Sequence, residues 1–269
     1  MRYYNNLTTP SGKYCTLNEL SNREYLVLLK FLQADNYKGF FDCLNAKIKE
    51  TNEDFDDYNI VDKCYVYLAL CAYSVRSVAR VSNKFIGDQE VELVLMLENI
   101  EKSYQEKRIR YDVSKNITIT FGIPKRFYVD KNNNIVIDYL SNIDNVNGRK
   151  LSKSDEEKLF STTSTKLKIL MEEKIVENLQ DTFDIFENVP MNKFEIPLYR
   201  YPLIFNIASI YKIGLKSFYD FMYMCFHHVK MDFSAFMDLS FMETDILLKT
   251  CIEEKQKENE QLNNTSQNQ

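Results

Sequence analysis

The chain has two histidines, His227 and His228, and they are adjacent. Neighbouring side chains on a helix point about 100° apart, so two adjacent imidazoles do not converge on one ion. Cys225 and His228 are three apart and do share a helix face. With Asp232 or Cys251 they would make a zinc set, provided the fold delivered that further ligand. The competing reading is a partly buried helix end, where imidazoles complement the negative end of the dipole. A Cys–His nucleophile needs an accessible setting that favours thiolate. Cys225 lies between Met224 and Phe226, an apolar setting that raises a thiol pKa. The six glycines are isolated, so there is no G-x-G-x-x-G and no P-loop. G-x-S-x-G and H-E-x-x-H are also missing. The acidic pairs Glu172-Glu173 and Glu253-Glu254 fall on helix surfaces and read as solvated faces. No catalytic, cofactor-binding or metal-binding residue is assigned, and a non-enzyme is expected.

Two further clusters invite a binding role. Lys107, Arg108, Arg110, Lys125 and Arg126 interleave with Tyr111, Phe121, Phe127 and Tyr128. Basic and aromatic side chains on a sheet bind single strands by charge neutralisation and base stacking. Glu101, Glu106, Asp112 and Asp130 dilute that charge, however, and apolar alternation alone accounts for the aromatics. Nucleic acid is therefore not the favoured partner. The acidic stretch Glu53-Asp54-Phe55-Asp56-Asp57 lacks the glycine and length of a calcium loop and reads as a solvated linker or helix start.

The C-terminal run from Phe218 to Phe226 is apolar nearly all round, so one buried stripe does not account for it. Either its own domain encloses it or part of it meets a partner. Met and Phe suit adaptable interfaces, and the expected partner-binding set is Phe221, Met224, Met237, Phe241 and Met242.

The elements that must position these residues follow from periodicity. Tyr14-Cys15-Thr16-Leu17 alternates like a strand after the Pro10-Ser11-Gly12 turn. Ser21 and Glu24 have capping-box spacing ahead of a helix. Helices are predicted over 37–49 and, enclosed by its neighbours, over 60–77. The alternation at 91–98 suggests a strand, as do the runs at 109–113 and 117–121. Phe127-Tyr128-Val129, the Asp130–Asn134 loop and Ile135-Val136-Ile137 suggest a hairpin. Helical periodicity returns after Ser152, with a capping box expected at Ser154 to Glu157 and a long amphipathic helix at 165–186. Gly214 is expected to end a helix that begins near Pro202. Further helices are expected at 215–230 and from Ser240.

The expected fold is α+β, with mostly helical N- and C-terminal parts and a small central antiparallel β-sheet. The divisions expected are 1–80 (short strand plus helices), 81–150 (β-rich insert), 151–255 (helical) and 256–269 (disordered polar tail). A chain of 269 residues with 45% hydrophobic and 27% charged residues is rich enough in apolar side chains to fold. A net charge of -5 gives no whole-chain attraction to nucleic acid. No window is long and apolar enough to span a bilayer, and no signal peptide is expected, which points to the compartment of synthesis. The six cysteines include no C-x-x-C pair and read as reduced thiols among apolar neighbours.

The order of segments resembles the baseplate hub and hub-assembly proteins of T-even-type contractile-tailed phages. The resemblance is carried by Leu7-Thr8-Thr9-Pro10-Ser11-Gly12-Lys13-Tyr14, by Leu20-Ser21-Asn22-Arg23-Glu24-Tyr25, and by Asp62-Lys63-Cys64-Tyr65-Val66-Tyr67-Leu68 with Arg76. It continues through Phe121-Gly122-Ile123-Pro124 and Phe233-Ser234-Ala235-Phe236-Met237-Asp238-Leu239-Ser240. It implies a non-enzymatic assembly factor that binds other baseplate hub proteins, with self-association possible. Its place would be the host cytoplasm during assembly or the tail baseplate of the virion. A permanent hub subunit and a single-stranded nucleic-acid-binding module are the alternatives.

Overall fold

A computed structural model describes residues 4–83, 87–106, 108–114, 117–138, 143–150 and 204–267, with isolated residues between 152 and 195. The chain opens with an antiparallel hairpin, β1 (Tyr4–Thr8) and β2 (Tyr14–Asn18). Cys15 and Leu17 point inward and Tyr14 outward, the period of two expected of a half-buried strand. In place of a third strand, side chains close the outer edge of β2. The Thr16 N–H donates to Asn52 Oδ1 at 2.9 Å, and Thr51 Oγ1 and Asn52 Nδ2 donate to the Thr16 carbonyl. An open edge would present these groups to other chains.

Helix α1 (Asn22–Gln33) starts at the expected capping box, where Ser21 accepts from Glu24 N–H and Glu24 accepts from Ser21 N–H. Helix α2 (Tyr37–Lys49) has the predicted bounds. A Cβ at Gly39 would lie 2.5 Å from the Phe31 ring, so this turn of α2 can approach α1 only as glycine. Helix α3 (Ile60–Ser74) buries every side chain except Tyr73. Three buried tyrosines tie its surroundings together. Tyr25 OH donates to the Tyr211 carbonyl at 2.8 Å, Tyr211 OH to the Tyr67 carbonyl at 2.7 Å, and Tyr67 OH to Asn45 Oδ1.

The fold class is α+β, but the central sheet is divided. Strands β3 (Val78–Asn83) and β4 (Gly87–Glu92) form one hairpin. Strands β5 (Ile109–Ser114), β6 (Ile117–Phe121), β9 (Ile143–Val146) and β10 (Arg149–Lys150) make a four-stranded antiparallel sheet in the order β10-β9-β6-β5. Strands β7 (Arg126–Val129) and β8 (Ile135–Asp138) form the predicted hairpin as a sheet of their own. Two short strands, β11 (Pro190–Met191) and β12 (Phe194–Glu195), also pair.

The strand expected at 91–98 is instead largely helix: α4 covers Leu93–Ser103. An unbroken apolar run fits either period. The deciding residue is Ile100, because Leu93, Met96, Leu97 and Ile100 are buried while Val94 and Leu95 face outward.

The insert is fastened to the helices by polar contacts. The Ile60 N–H donates to the Pro124 carbonyl at 2.8 Å. Lys63, buried, donates to the carbonyls of Asp56 (3.0 Å) and Lys125 (2.6 Å), and desolvation lowers its pKa to about 8. The β7–β8 loop docks on the α1–α2 corner. There Asn133 accepts from the Tyr37 N–H and donates to the Asp35 carbonyl.

The C-terminal part comprises α5 (Ile204–Tyr211), α6 (Leu215–Met224), a π-helical turn at Cys225–Val229, α7 (Phe233–Asp238) and α8 (Phe241–Gln267). It packs on the N-terminal helices. Ser21 and Ser240 form an antiparallel bridge, and Asn22 Nδ2 donates to the Phe236 carbonyl at 2.8 Å. Ser240 and Glu243 form a second capping box beside the first.

Three expectations fail in this half. Gly214 caps the start of α6 and does not end the preceding helix, which stops at Tyr211. The capping box near residue 154 lies two residues earlier, between Ser152 and Asp155, because the shorter aspartate completes it as well as glutamate. The tail expected to be disordered from 256 continues α8 to Gln267. Once the packed half around Thr244 and Leu248 nucleates the helix, each further residue adds a hydrogen bond, and the Glu, Lys and Gln that follow are good helix formers. Of the predicted helix at 165–186, the described residues Thr165, Ile169, Leu170, Glu173 and Lys174 are helical, and the rest lies outside the described residues. Among the described residues, no helix is long and apolar enough to cross a membrane.

Candidate interaction surface

The apolar run on α6 divides into an inner and an outer face. Phe218, Phe221 and Cys225, at the i, i+3, i+7 spacing of one stripe, are buried. The Phe221 ring centroid is 4.3 Å from that of Phe241, and Phe218 packs edge-on against Phe236 and Tyr25. Phe226 joins the same cluster through Phe236. On the other side Tyr219 is exposed, Tyr223 is 67% exposed and Met224 40% exposed.

The structure therefore separates the five residues expected to bind a partner. Phe221, 8% exposed, and Met237 belong to the core. Phe241 and Met242 are half-buried, with Phe241 filling the space between α6 and α1. Met224 alone lies on the open surface. Its neighbours there are Tyr219 and Tyr223, and Phe233, Ile246 and Leu247 on α7 and α8 are exposed as well. Tyr219 and Tyr223 escaped sequence reasoning because the run was weighed as a whole. Splitting it at the Phe218, Phe221 and Cys225 stripe leaves Tyr219 and Tyr223, four apart, on the opposite face.

The π-helical turn fixes the end of this surface. His227 stacks on Tyr223 with ring centroids 6.0 Å apart and planes 4° apart. The His228 carbonyl, released by the wider turn, accepts from Cys251 Sγ and Lys255 Nζ, both at 3.2 Å. Cys225 is buried and its thiol is pushed up to about 11, by burial first and by Asp245 second, so it stays protonated at neutral pH. Asp232 is occupied in capping α7, where it accepts from the Ala235 N–H at 2.8 Å. Among the described residues, no three His, Cys, Asp or Glu side chains converge as metal ligands. All six cysteines are free thiols. Burial pushes Cys15 and Cys71 up to about 12.

The basic and aromatic residues of the insert do not share one sheet. Arg110 and Tyr111 belong to β5 in the four-stranded sheet, whereas Arg126, Phe127 and Tyr128 belong to the separate β7–β8 hairpin. Phe121 is buried, and Phe127 packs edge-on against Phe41 at 4.9 Å. Arg108 pairs with Glu106 and Arg126 with Asp138. Of the four aromatics, Tyr128 is the most open to solvent, and Lys107 lies outside the described residues. Comparison of the chain with protein-family models, with curated proteins and with solved structures finds no match.

Proposed function

We propose that the chain is a non-enzymatic assembly protein of the baseplate hub of a contractile-tailed phage, a factor that binds other hub proteins while the hub forms. The observation that carries this reading is the apolar exposure left on the C-terminal helices. Tyr219, Tyr223 and Met224 on α6, Phe233 on α7, and Ile246 and Leu247 on α8 stay exposed, although the same helices contribute Phe218, Phe221, Phe236 and Leu248 to the core. Tyrosine, methionine and phenylalanine are enriched where interfaces form. The ordered resemblance from Leu7 to Ser240 supplies the class of partner, proteins of the same hub.

A permanent hub subunit would use the same face. The two roles separate by mass spectrometry of purified particles beside a lysate of the same infection. An assembly factor is found in the lysate alone, and a subunit is found in both at stoichiometric level. Absence from both overturns the hub reading altogether. Single-strand binding would draw on the aromatics of the insert, two of which pack inward. It predicts salt-dependent affinity for oligonucleotides, and a flat titration would exclude it.

A further inference from the structure

We infer that Asn147 is a site of spontaneous covalent modification, in which its side-chain amide is lost through attack by the backbone nitrogen of Gly148. This is independent of the hub reading and rests on the turn between β9 and β10. Asn147-Gly148 is the one Asn-Gly step in the chain, and it forms the two central residues of that turn. Both adopt left-handed backbone, φ 52° at Asn147 and 75° at Gly148. Both are exposed, and apart from its chain neighbours a Cβ built on Gly148 would meet nothing within 4 Å.

A contact distant in sequence marks this asparagine further. The Thr118 N–H donates to Asn147 Oδ1 at 2.7 Å, while the Asn147 N–H donates to the Thr118 carbonyl at 2.8 Å. The first bond draws charge toward Oδ1 and leaves Cγ more electrophilic. It also supplies a donor to the oxyanion that forms when Cγ becomes tetrahedral.

The Gly148 nitrogen gives up its proton to solvent and bonds to Asn147 Cγ. The Cγ–Nδ2 bond then breaks, Nδ2 takes up a proton, and ammonia leaves a five-membered imide. Water opens the imide at either carbonyl, giving aspartate or isoaspartate. The net change is one water consumed and one ammonia released. Either product adds a negative charge beside Arg149. The isoaspartate also lengthens the main chain by one carbon and breaks the two-residue register between β9 and β10.

The test is to incubate the full chain at mildly alkaline pH and map peptides by mass, with isoaspartate assayed by enzymatic methylation. Asn132, Asn133 and Asn134 of the β7–β8 loop serve as internal controls. The expected result is conversion at Asn147 roughly tenfold faster than at any control, equivalent to about 1.4 kcal/mol in the barrier. Gly148→Asn, which tolerates the left-handed backbone but puts a side chain next to the attacking nitrogen, should remove that excess. Conversion no faster at Asn147 than in the control loop overturns the inference. So does an unchanged rate in Gly148→Asn whose circular dichroism matches the parent.

Discussion

The run at 60–74 and the run at 218–226 read alike, apolar nearly all round, yet the fold treats them differently. On α3, fourteen of the fifteen side chains are buried, because β2, α4, α5 and α8 all pack against it. On α6, Phe218, Phe221 and Cys225 are enclosed by α1, α7 and α8 while Tyr219, Tyr223 and Met224 face out. An apolar run specifies that water is unfavourable around it. How much of it is covered depends on how many other elements reach it.

The contrast can be broken most forcefully from inside. Phe218→Ala removes a ring packed against Tyr25, Phe236 and Phe241, and should cost about 3–5 kcal/mol in denaturant unfolding. A loss below about 1 kcal/mol would mean that the inner face of α6 is not core.

Lys47→Ala comes next. The Lys47 ammonium is buried and bonds Glu24 at 2.7 Å, with Glu50 at 3.4 Å. Burial works against the Glu24 charge, but Lys47 and the donors of Ser21 outweigh it and hold the carboxyl below its ordinary value. A lowered folded pKa gives stability that is present above the unfolded value of 4.5 and lost as pH falls through the folded one. The variant should therefore lose about 2 kcal/mol at neutral pH, less than for a fully buried pair, and the gap to the parent should close in acid. A gap independent of pH would assign the loss to packing alone.

Tyr211→Phe keeps the ring but removes the hydroxyl that bonds the Tyr67 carbonyl. It should cost about 1 kcal/mol, the net worth of one hydrogen bond, because the Tyr67 carbonyl lies inside α3 and keeps its helical donor. Glu19→Gln acts in the opposite direction. Burial and the nearby Glu243 raise the Glu19 pKa, so its charged form is held less well in the fold than in the open chain. The substitution should raise the melting temperature at neutral pH, and the gain should fade as pH drops below the folded pKa. An unchanged melting temperature would remove Glu19 from the strained contact between the two capped helix starts.

Features that depend on a few adjacent residues were legible in the sequence. Ser21 with Glu24, Ser240 with Glu243, the bounds of α2 and the Asp130–Asn134 hairpin loop follow from capping and turn chemistry within one short window. Features decided by distant partners were not. The α4 run fits both periods until Ile100 is included. The division of the sheet depends on β7 and β8 packing on α2 through Phe127 and Asn133. Of the five residues expected to bind a partner, Met224 is exposed, whereas Phe221 is covered by Phe236 of α7 and Phe241 of α8, and Met237 is buried on α7. Closure by α7 and α8 is a tertiary event that no local spacing records.

The most direct test of the account sets one face of α6 against the other. Tyr223→Ser with Met224→Ser should melt within about 0.5 kcal/mol of the parent, as exposed substitutions do, and should fail to co-purify with co-expressed hub proteins. Retained co-purification by this stable variant would contradict the assignment of the outer face of α6 as the partner surface.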